Sequence, residues 1–346
     1  MPGLLLSSIQ RFDLSTGISE AGWNALHSNA ARANLVLPHA EKVFGRQKFT
    51  PKIDATEQLW LAYSQPGTSK ISLVLSCTEG PLGKYPLFII PTIPIADFTP
   101  ELIESSTEAL CSALLDEPGF RKERVFSIFS VEIITEAFAL TWERLTGIGR
   151  IKKPYYSAFF SVCTESTLIR QQRPPRPSED VILEPRLAVE QDADEIAKLC
   201  RDFAAPPDPF TLSEEKAGKE ARLLIANKSV WVLEIKKRKE EPENEKPEIA
   251  TIVAATRKSE GIATISKVYT PKKWRGKGCA EILVRHACIE LLEKYKEIVL
   301  YVGVELGSAK TVYGRVGFQG LDDESPLSER WLEIGFDQDK VELGHW

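Results

Sequence analysis

The sequence predicts an α/β protein with mixed sheets, built as two domains. Three observations carry this. The chain has 346 residues, a length that suits two domains of ordinary size. Its second half reads strand, two helices, three strands, helix, strand, helix, strand. Its first half ends on three strands, helix, strand, helix, strand, which repeats the later part of that order. The seam is Arg170-Gln171-Gln172-Arg173-Pro174-Pro175-Arg176-Pro177-Ser178, where prolines interrupt ladder and helix hydrogen bonding alike. The expected division is therefore 1–169, a linker over 170–180, and 181–346.

In the second half a strand is expected over 181–187, followed by a helix over 192–203 with Ile196, Leu199, Cys200 and Phe203 at helical spacing. Thr211-Leu212-Ser213-Glu214 reads as a capping box that opens the next helix, which runs to about Asn227. Strands follow over 230–235, 249–256 and 262–270. Ile282, Leu283, Ala287, Leu291 and Leu292 mark one face of a helix, and 298–304 is a nearly continuous apolar strand, as expected where both faces are covered. Residues 330–336 are strand-like; Glu333 within them is a pocket candidate, with structural pairing the preferred reading. In the first half strands are expected over 59–63, 71–77, 87–90, 125–130 and 155–163. Thr99-Pro100 supplies an N-cap and first helical residue for a helix to about Leu115, and a second helix spans 131–145.

Composition excludes several classes. Lys and Arg number 44 against 49 Asp and Glu, a net charge of −5, which argues against nucleic-acid binding through a basic surface. The 43% hydrophobic and 27% charged fractions are those of a globular protein. Six scattered cysteines without a C-x-x-C pair, and four histidines, give no zinc spacing, so no metal is expected and the thiols read as buried. The opening Met1-Pro2-Gly3-Leu4-Leu5-Leu6 lacks the basic start and long apolar core of a signal peptide, and no stretch approaches the roughly 20 apolar residues of a membrane span. A cytoplasmic protein without a membrane partner is expected.

The chemistry is concentrated in Val268-Tyr269-Thr270-Pro271-Lys272-Lys273-Trp274-Arg275-Gly276-Lys277-Gly278-Cys279-Ala280. A strand enters a glycine-bearing turn and then a helix, which presents backbone amides at the positive end of the helix dipole to a pyrophosphate. Gly276 and Gly278 let the backbone curl, Ala280 keeps the first turn small, and Lys272, Lys273, Arg275 and Lys277 form a local basic rim. The plainer alternative is a strand-helix turn whose glycines only relieve strain. The order of a P-loop is absent, as are the third glycine and acidic partner of a dinucleotide fingerprint.

Arg275-Gly276-Lys277-Gly278-Cys279-Ala280 resembles the acetyl-CoA motif of the GCN5-related N-acetyltransferase superfamily, Arg/Gln-x-x-Gly-x-Gly/Ala. Tyr301-Val302-Gly303-Val304, then Ala309-Lys310-Thr311-Val312-Tyr313-Gly314-Arg315-Val316-Gly317-Phe318, resembles its second signature: strand, short helix with a tyrosine, terminal Gly-Phe. The resemblance spans 181 to about 336 and implies a mostly antiparallel central sheet flanked by helices. It also implies acetyl-CoA as cosubstrate and direct transfer to a primary amine in a ternary complex. Val268, Tyr269 and Thr270 would meet the pantetheine arm and thioester, and Arg275, Gly276, Lys277, Gly278, Cys279 and Ala280 the phosphates. Tyr313 would protonate the departing thiolate, its alternative being a packing residue of an amphipathic helix. Many members carry asparagines where this chain has Leu306-Gly307-Ser308 and Lys310; Ser308 is expected to cap the following helix and contact the cofactor. For the base the candidates are Glu305, Asp208 and an ordered water. Cys279 reads as packing.

The first half has no phosphate loop between Phe88 and Glu101, and Trp142-Glu143-Arg144-Leu145-Thr146-Gly147 stands where the tyrosine segment stands later. It reads as a degenerate acetyltransferase-like repeat without a cofactor site, or as an unrelated α/β domain. Trp23, His27 and His39 are candidates for a wall of the substrate cleft. The plan resembles fungal tandem members, and in outline the N-myristoyltransferases, where the terminal carboxylate acts as base; Trp346 is the corresponding residue. The expected activity is acetylation of a small metabolite or amino-acid-like amine. Alternatives are a protein or peptide N-acetyltransferase and a non-catalytic acyl-CoA-binding module.

Overall fold

The computed structural model describes residues 8–45, 58–65, 67–171, 181–205, 209, 211–237 and 248–344. Packing divides the chain into two compact units, Met1–Ala158 with Arg330–Trp346, and Phe159–Glu329.

The first unit opens with β1 (Ile9–Phe12) and three short helices, α1 (Glu20–His27), α2 (Ala30–Ala33) and α3 (Leu37–Phe44). It continues through β2 (Leu59–Ser64), β3 (Ile71–Cys77), the small hairpin β4 (Glu79–Gly80) and β5 (Gly83–Lys84), and β6 (Leu87–Pro91). Then come α4 (Pro100–Leu115), β7 (Ser127–Val131), α5 (Glu132–Thr146) and the first residues of β8 (Tyr156–Thr164). The strand order is β1-β2-β3-β6-β7, and beside β7 lies β14 (Arg330–Gly335) from the end of the chain. Neighbours pair antiparallel except β6 and β7, whose parallel ladder is limited to Leu87 with Ile128 and Phe88 with Phe129. Every residue of β3, β6 and β7 is buried, which accounts for their unbroken apolar runs. The Thr99 hydroxyl accepts from Leu102 N and Pro100 occupies the first turn of α4, as its sequence predicts.

The second unit contains the remainder of β8, then β9 (Val181–Leu187), α6 (Ala193–Ala204), α7 (Glu214–Ala226), β10 (Val230–Lys237), β11 (Glu248–Ser259) and β12 (Ile262–Tyr269). It finishes with α8 (Cys279–Leu292), β13 (Glu297–Gly303) and α9 (Gly307–Val316). Its strand order is β8-β13-β12-β11-β10-β9. The strands β9 to β12 pair antiparallel, and β12 and β13 pair parallel over Ile262 with Glu297, Ala263 with Ile298 and Thr264 with Val299. Helices α8 and α9 cover one face with a cluster that includes Ile265, Leu283 and Phe318, and α6 and α7 cover the other around Ile196, Leu224 and Ile252. The cap of α7 is Ser213, whose hydroxyl accepts from Lys216 N, rather than Thr211. The helix starts two residues later than a Thr211 cap requires.

The packing boundaries fall at Ala158/Phe159 and Glu329/Arg330, whereas the sequence seam lies at 170–180, of which residues 172–180 are outside the described set. The cause is strand assignment. β14, next to α9 in sequence, pairs with β7, while β8, next to α5 in sequence, lies beside β13.

Glu333 on β14 belongs to the first unit and is 1% exposed, with Ser127 Oγ donating to its Oε1 at 2.7 Å. Burial lifts its carboxyl from the ordinary 4.5 to about 7, against the opposing pull of the Ser127 bond. A carboxyl raised on folding stabilises most below its unfolded value, and that contribution is lost as pH rises through the folded one. Glu333→Gln is expected to flatten the decline in melting temperature between pH 5 and 8, removing a penalty of up to about 3 kcal/mol at the alkaline end. An unchanged pH slope in the variant refutes the assignment.

Candidate active site

The second unit places the glycine-bearing segment at the end of β12. The ladder to β13 runs only as far as Thr264, and residues 265–269 lie beyond it. On the other side the register to β11 slips, Lys267 opposing Ala254 and Ile265 opposing Ala255, which leaves Ser266 as the extra residue of a bulge. Val268 packs with the α8 cluster and Tyr269 with the α6–α7 cluster. The Thr270 and Thr251 hydroxyls lie 2.9 Å apart.

After Pro271 a single tight turn, Lys272–Trp274, leads to Gly276 and Gly278, both left-handed at φ 73° and 80°. That conformation is what calls for glycine here, because a Cβ at either position meets no protein atom within 4 Å. Gly278 is the N-cap of α8 and supplies no side chain to the first-turn amides; the first intrahelical bond runs from Ile282 N to Gly278 O at 3.1 Å. A 14-residue helix thus opens onto unfilled space with its positive end uncapped.

The basic rim is more tethered than its sequence suggests. Arg275 folds back, Nε donating to Thr270 O at 2.9 Å with the guanidinium 5.8 Å from the Tyr269 ring centre. Lys273 pairs with Glu248, which also accepts from Trp274 Nε1 at 2.7 Å, and Lys277 lies 4.5 Å from the Trp274 ring centre. These contacts brace the turn, and Lys272 and Lys277 stay exposed. Cys279 is 2% exposed in the apolar cluster and burial raises its thiol, so it packs, as expected; Ala280 is half-buried. All six cysteines are buried and free.

Tyr313 on α9 is 9% exposed, its ring edge-on to Phe318 at 5.7 Å. Its carbonyl accepts from Gly317 N and Phe318 N, closing the helix, with Gly317 left-handed. Glu305 is exposed in the turn after β13. Ser308 is exposed within α9 and does not cap it: the cap position is Leu306, and no side chain caps the helix. Asp208 and Trp346 lie outside the described residues. His39 is held in the first unit, Nε2 against Gln58 Oε1 at 2.8 Å and ring against Trp60, and burial lowers its basicity; Trp23 and His27 stack at 5.6 Å.

The first unit closes the features that the second leaves open. The end of α4 that corresponds to the N-terminus of α8 carries the Thr99 cap and Pro100, so fewer amides face outward. Beyond its short parallel ladder, Ser130 Oγ donates to Ile89 O at 2.6 Å. Trp142, at the slot of Tyr313, is fully buried and stacks on Phe138. Among the described residues no group of His, Cys, Asp and Glu could hold a metal ion, and no helix is long and apolar enough to cross a membrane.

Two units, each with an antiparallel run, a short parallel ladder and a helix on either side of the second parallel strand, define the tandem fold of GCN5-related N-acetyltransferases. Solved structures bear this out across nearly the whole chain. A GCN5-related N-acetyltransferase from Sphaerobacter thermophilus is 13% identical with a TM-score of 0.51, covering 98% of this chain and 99% of its own. A tandem GNAT protein from the clavulanic acid biosynthesis pathway is 9% identical at 0.51, covering 95% and 98%. A Drosophila protein is 12% identical at 0.55, covering 96% and 99%. No protein-family model and no curated protein sequence matches the chain.

Sequence reasoning missed the bulge at Ser266 and a buried carboxylate, Glu220, which pairs with Lys267. The available signal was Glu220 itself, standing on the same helical stripe as Ala217, Ala221 and Leu224.

Proposed function

We propose that the second unit transfers an acetyl group from acetyl-CoA to a primary amine of a small metabolite or amino-acid-like substrate, directly in a ternary complex. The observation that carries this is the uncapped N-terminus of α8 behind two left-handed glycines, at the end of a strand whose ladder to β13 has stopped. Backbone amides of 276–280 would receive the pyrophosphate, with Lys272 and Lys277 adding charge at its edge. The open backbone edge at Val268, Tyr269 and Thr270 would hold the pantetheine arm and donate to the thioester carbonyl, whose polarity develops in the transition state. Ser308, exposed at the start of α9, would reach the arm from the other side. Acetyl-CoA supplies an activated acyl group; the chain supplies orientation and proton transfer. Tyr313 would deliver a proton to the leaving sulfur, and Glu305 would accept the proton of the amine.

The test is release of free thiol from acetyl-CoA over a panel of amines, amino acids and peptides, alongside calorimetric titration with CoA. Thiol release that depends on a small amine, together with saturable CoA binding, is the expected result. CoA binding without release for any acceptor identifies a binding module, and release only with peptides identifies a protein acetyltransferase.

A further inference from the structure

Glu281 and Arg285 form a buried ion pair on α8, 7% and 4% exposed, with Arg285 Nη2 2.9 Å from Glu281 Oε1. Glu281 stands at the third position of the helix, where a glutamate commonly turns back to the cap. Its second oxygen instead lies 3.5 Å from Arg315 Nη1 on α9. Both carboxylate oxygens thus face arginines.

The Arg285 guanidinium also reaches beyond its own helix. Nη2 donates to Arg315 O at 2.9 Å, and Nε donates to Ile169 O at 2.8 Å. Ile169 N donates in turn to Val316 O at 2.9 Å, which closes a ring through α8, the segment after β8 and the end of α9. The last four carbonyls of α9 are therefore all taken. Gly317 N and Phe318 N donate to those of Tyr313 and Gly314, Arg285 to that of Arg315, and Ile169 to that of Val316. A cation at this end also meets the negative pole of the helix dipole. The start of α9 has no side-chain cap, and a helix of 10 residues is too short to hold itself. Apart from apolar packing, its placement rests on the tie at its C-terminus.

We infer that Arg285 is a positioning residue for Tyr313. It lies about two turns beyond Gly278 on the helix whose first turn would receive the pyrophosphate. It grips the carbonyl of Arg315, in the same last turn of α9 that carries Tyr313. One helix thus sets the phosphate end of the cofactor and, through Arg285, the hydroxyl that protonates its sulfur. A shift of roughly 1 Å at a reacting group can cost on the order of 100-fold in rate. The inference rests on the acetyltransferase reading and adds a residue to it.

The experiment measures kcat by thiol release with saturating acetyl-CoA and the fastest small-amine acceptor, and CoA affinity by calorimetry. The variant is Glu281→Met with Arg285→Met, made in the wild-type chain and again in Tyr313→Phe. Removing both charges together leaves neither buried alone, so the fold is retained. In the wild-type background kcat is expected to fall about tenfold with CoA affinity within about twofold, and in Tyr313→Phe, which has no acid to position, no further fall is expected. Arg285→Lys keeps the charge beside Glu281 but lacks the planar fork that spans two carbonyls. It is expected to show the same dependence on Tyr313, and it decides the matter if the double substitution does not fold. An equal fall in both backgrounds is a general structural effect and overturns the proposal. No fall in either variant overturns it too, as does a loss of CoA affinity that accounts for the rate. If Tyr313→Phe alone leaves turnover unchanged, the acid role and this proposal fall together while acetyl transfer stands. Absence of thiol release with every amine removes the acetyltransferase reading itself.

Discussion

Gly278→Asp is expected to weaken CoA binding by at least about 100-fold while the protein stays folded. Gly278 caps α8 in a left-handed conformation at φ 80° and contributes no side chain to the first-turn amides. An aspartate there turns its own carboxylate onto those amides and so occupies the anion site from within. It also sets a negative charge against the incoming pyrophosphate. Folding tolerates the change because a Cβ at this position meets no protein atom within 4 Å, and because the new cap offsets the roughly 1–2 kcal/mol strain of a left-handed side chain. Gly278→Asn separates the two causes: it caps without charge and is expected to lose less affinity than the aspartate variant. A CoA titration indifferent to Gly278→Asp would sink the phosphate cradle.

Tyr313→Phe is expected to lower kcat by roughly 100-fold or more with CoA affinity unchanged, the signature of a lost general acid. The ring is 9% exposed and edge-on to Phe318, and phenylalanine preserves that packing, so the melting temperature should barely move. Stability therefore serves as the control. If turnover is unchanged, Tyr313 is a packing residue of α9, the alternative that its place in the apolar cluster also fits. Rate rather than stability decides between them.

Much of this protein was legible from residues alone, wherever the physics is local. The positions of Gly276 and Gly278 follow from backbone freedom, the opening of α4 from the hydroxyl of Thr99 and the fixed φ of Pro100, and the order of strands and helices from apolar periodicity. The difference between the openings of α4 and α8 was readable too, since a capped, proline-led helix stands in the first unit where the second has glycines. Local rules missed by small steps where two candidates competed for one role: Ser213 rather than Thr211 caps α7, and Leu306 rather than Ser308 holds the cap position of α9.

Tertiary structure alone decided which strand completes which sheet. Nothing in the alternation of β8 or β14 states that β14 lies against β7, or that β8 lies beside β13, because a strand's side-chain pattern fixes its buried faces and not its neighbour. The same holds for the bulge at Ser266, a matter of register between β11 and β12, and for the meeting of Glu220 with Lys267. Sequence determined the chemistry available on each element, because capping, glycine conformation and periodicity act within a few residues. The fold decided which of those groups meet, because ladder register and side-chain burial are set by residues distant along the chain.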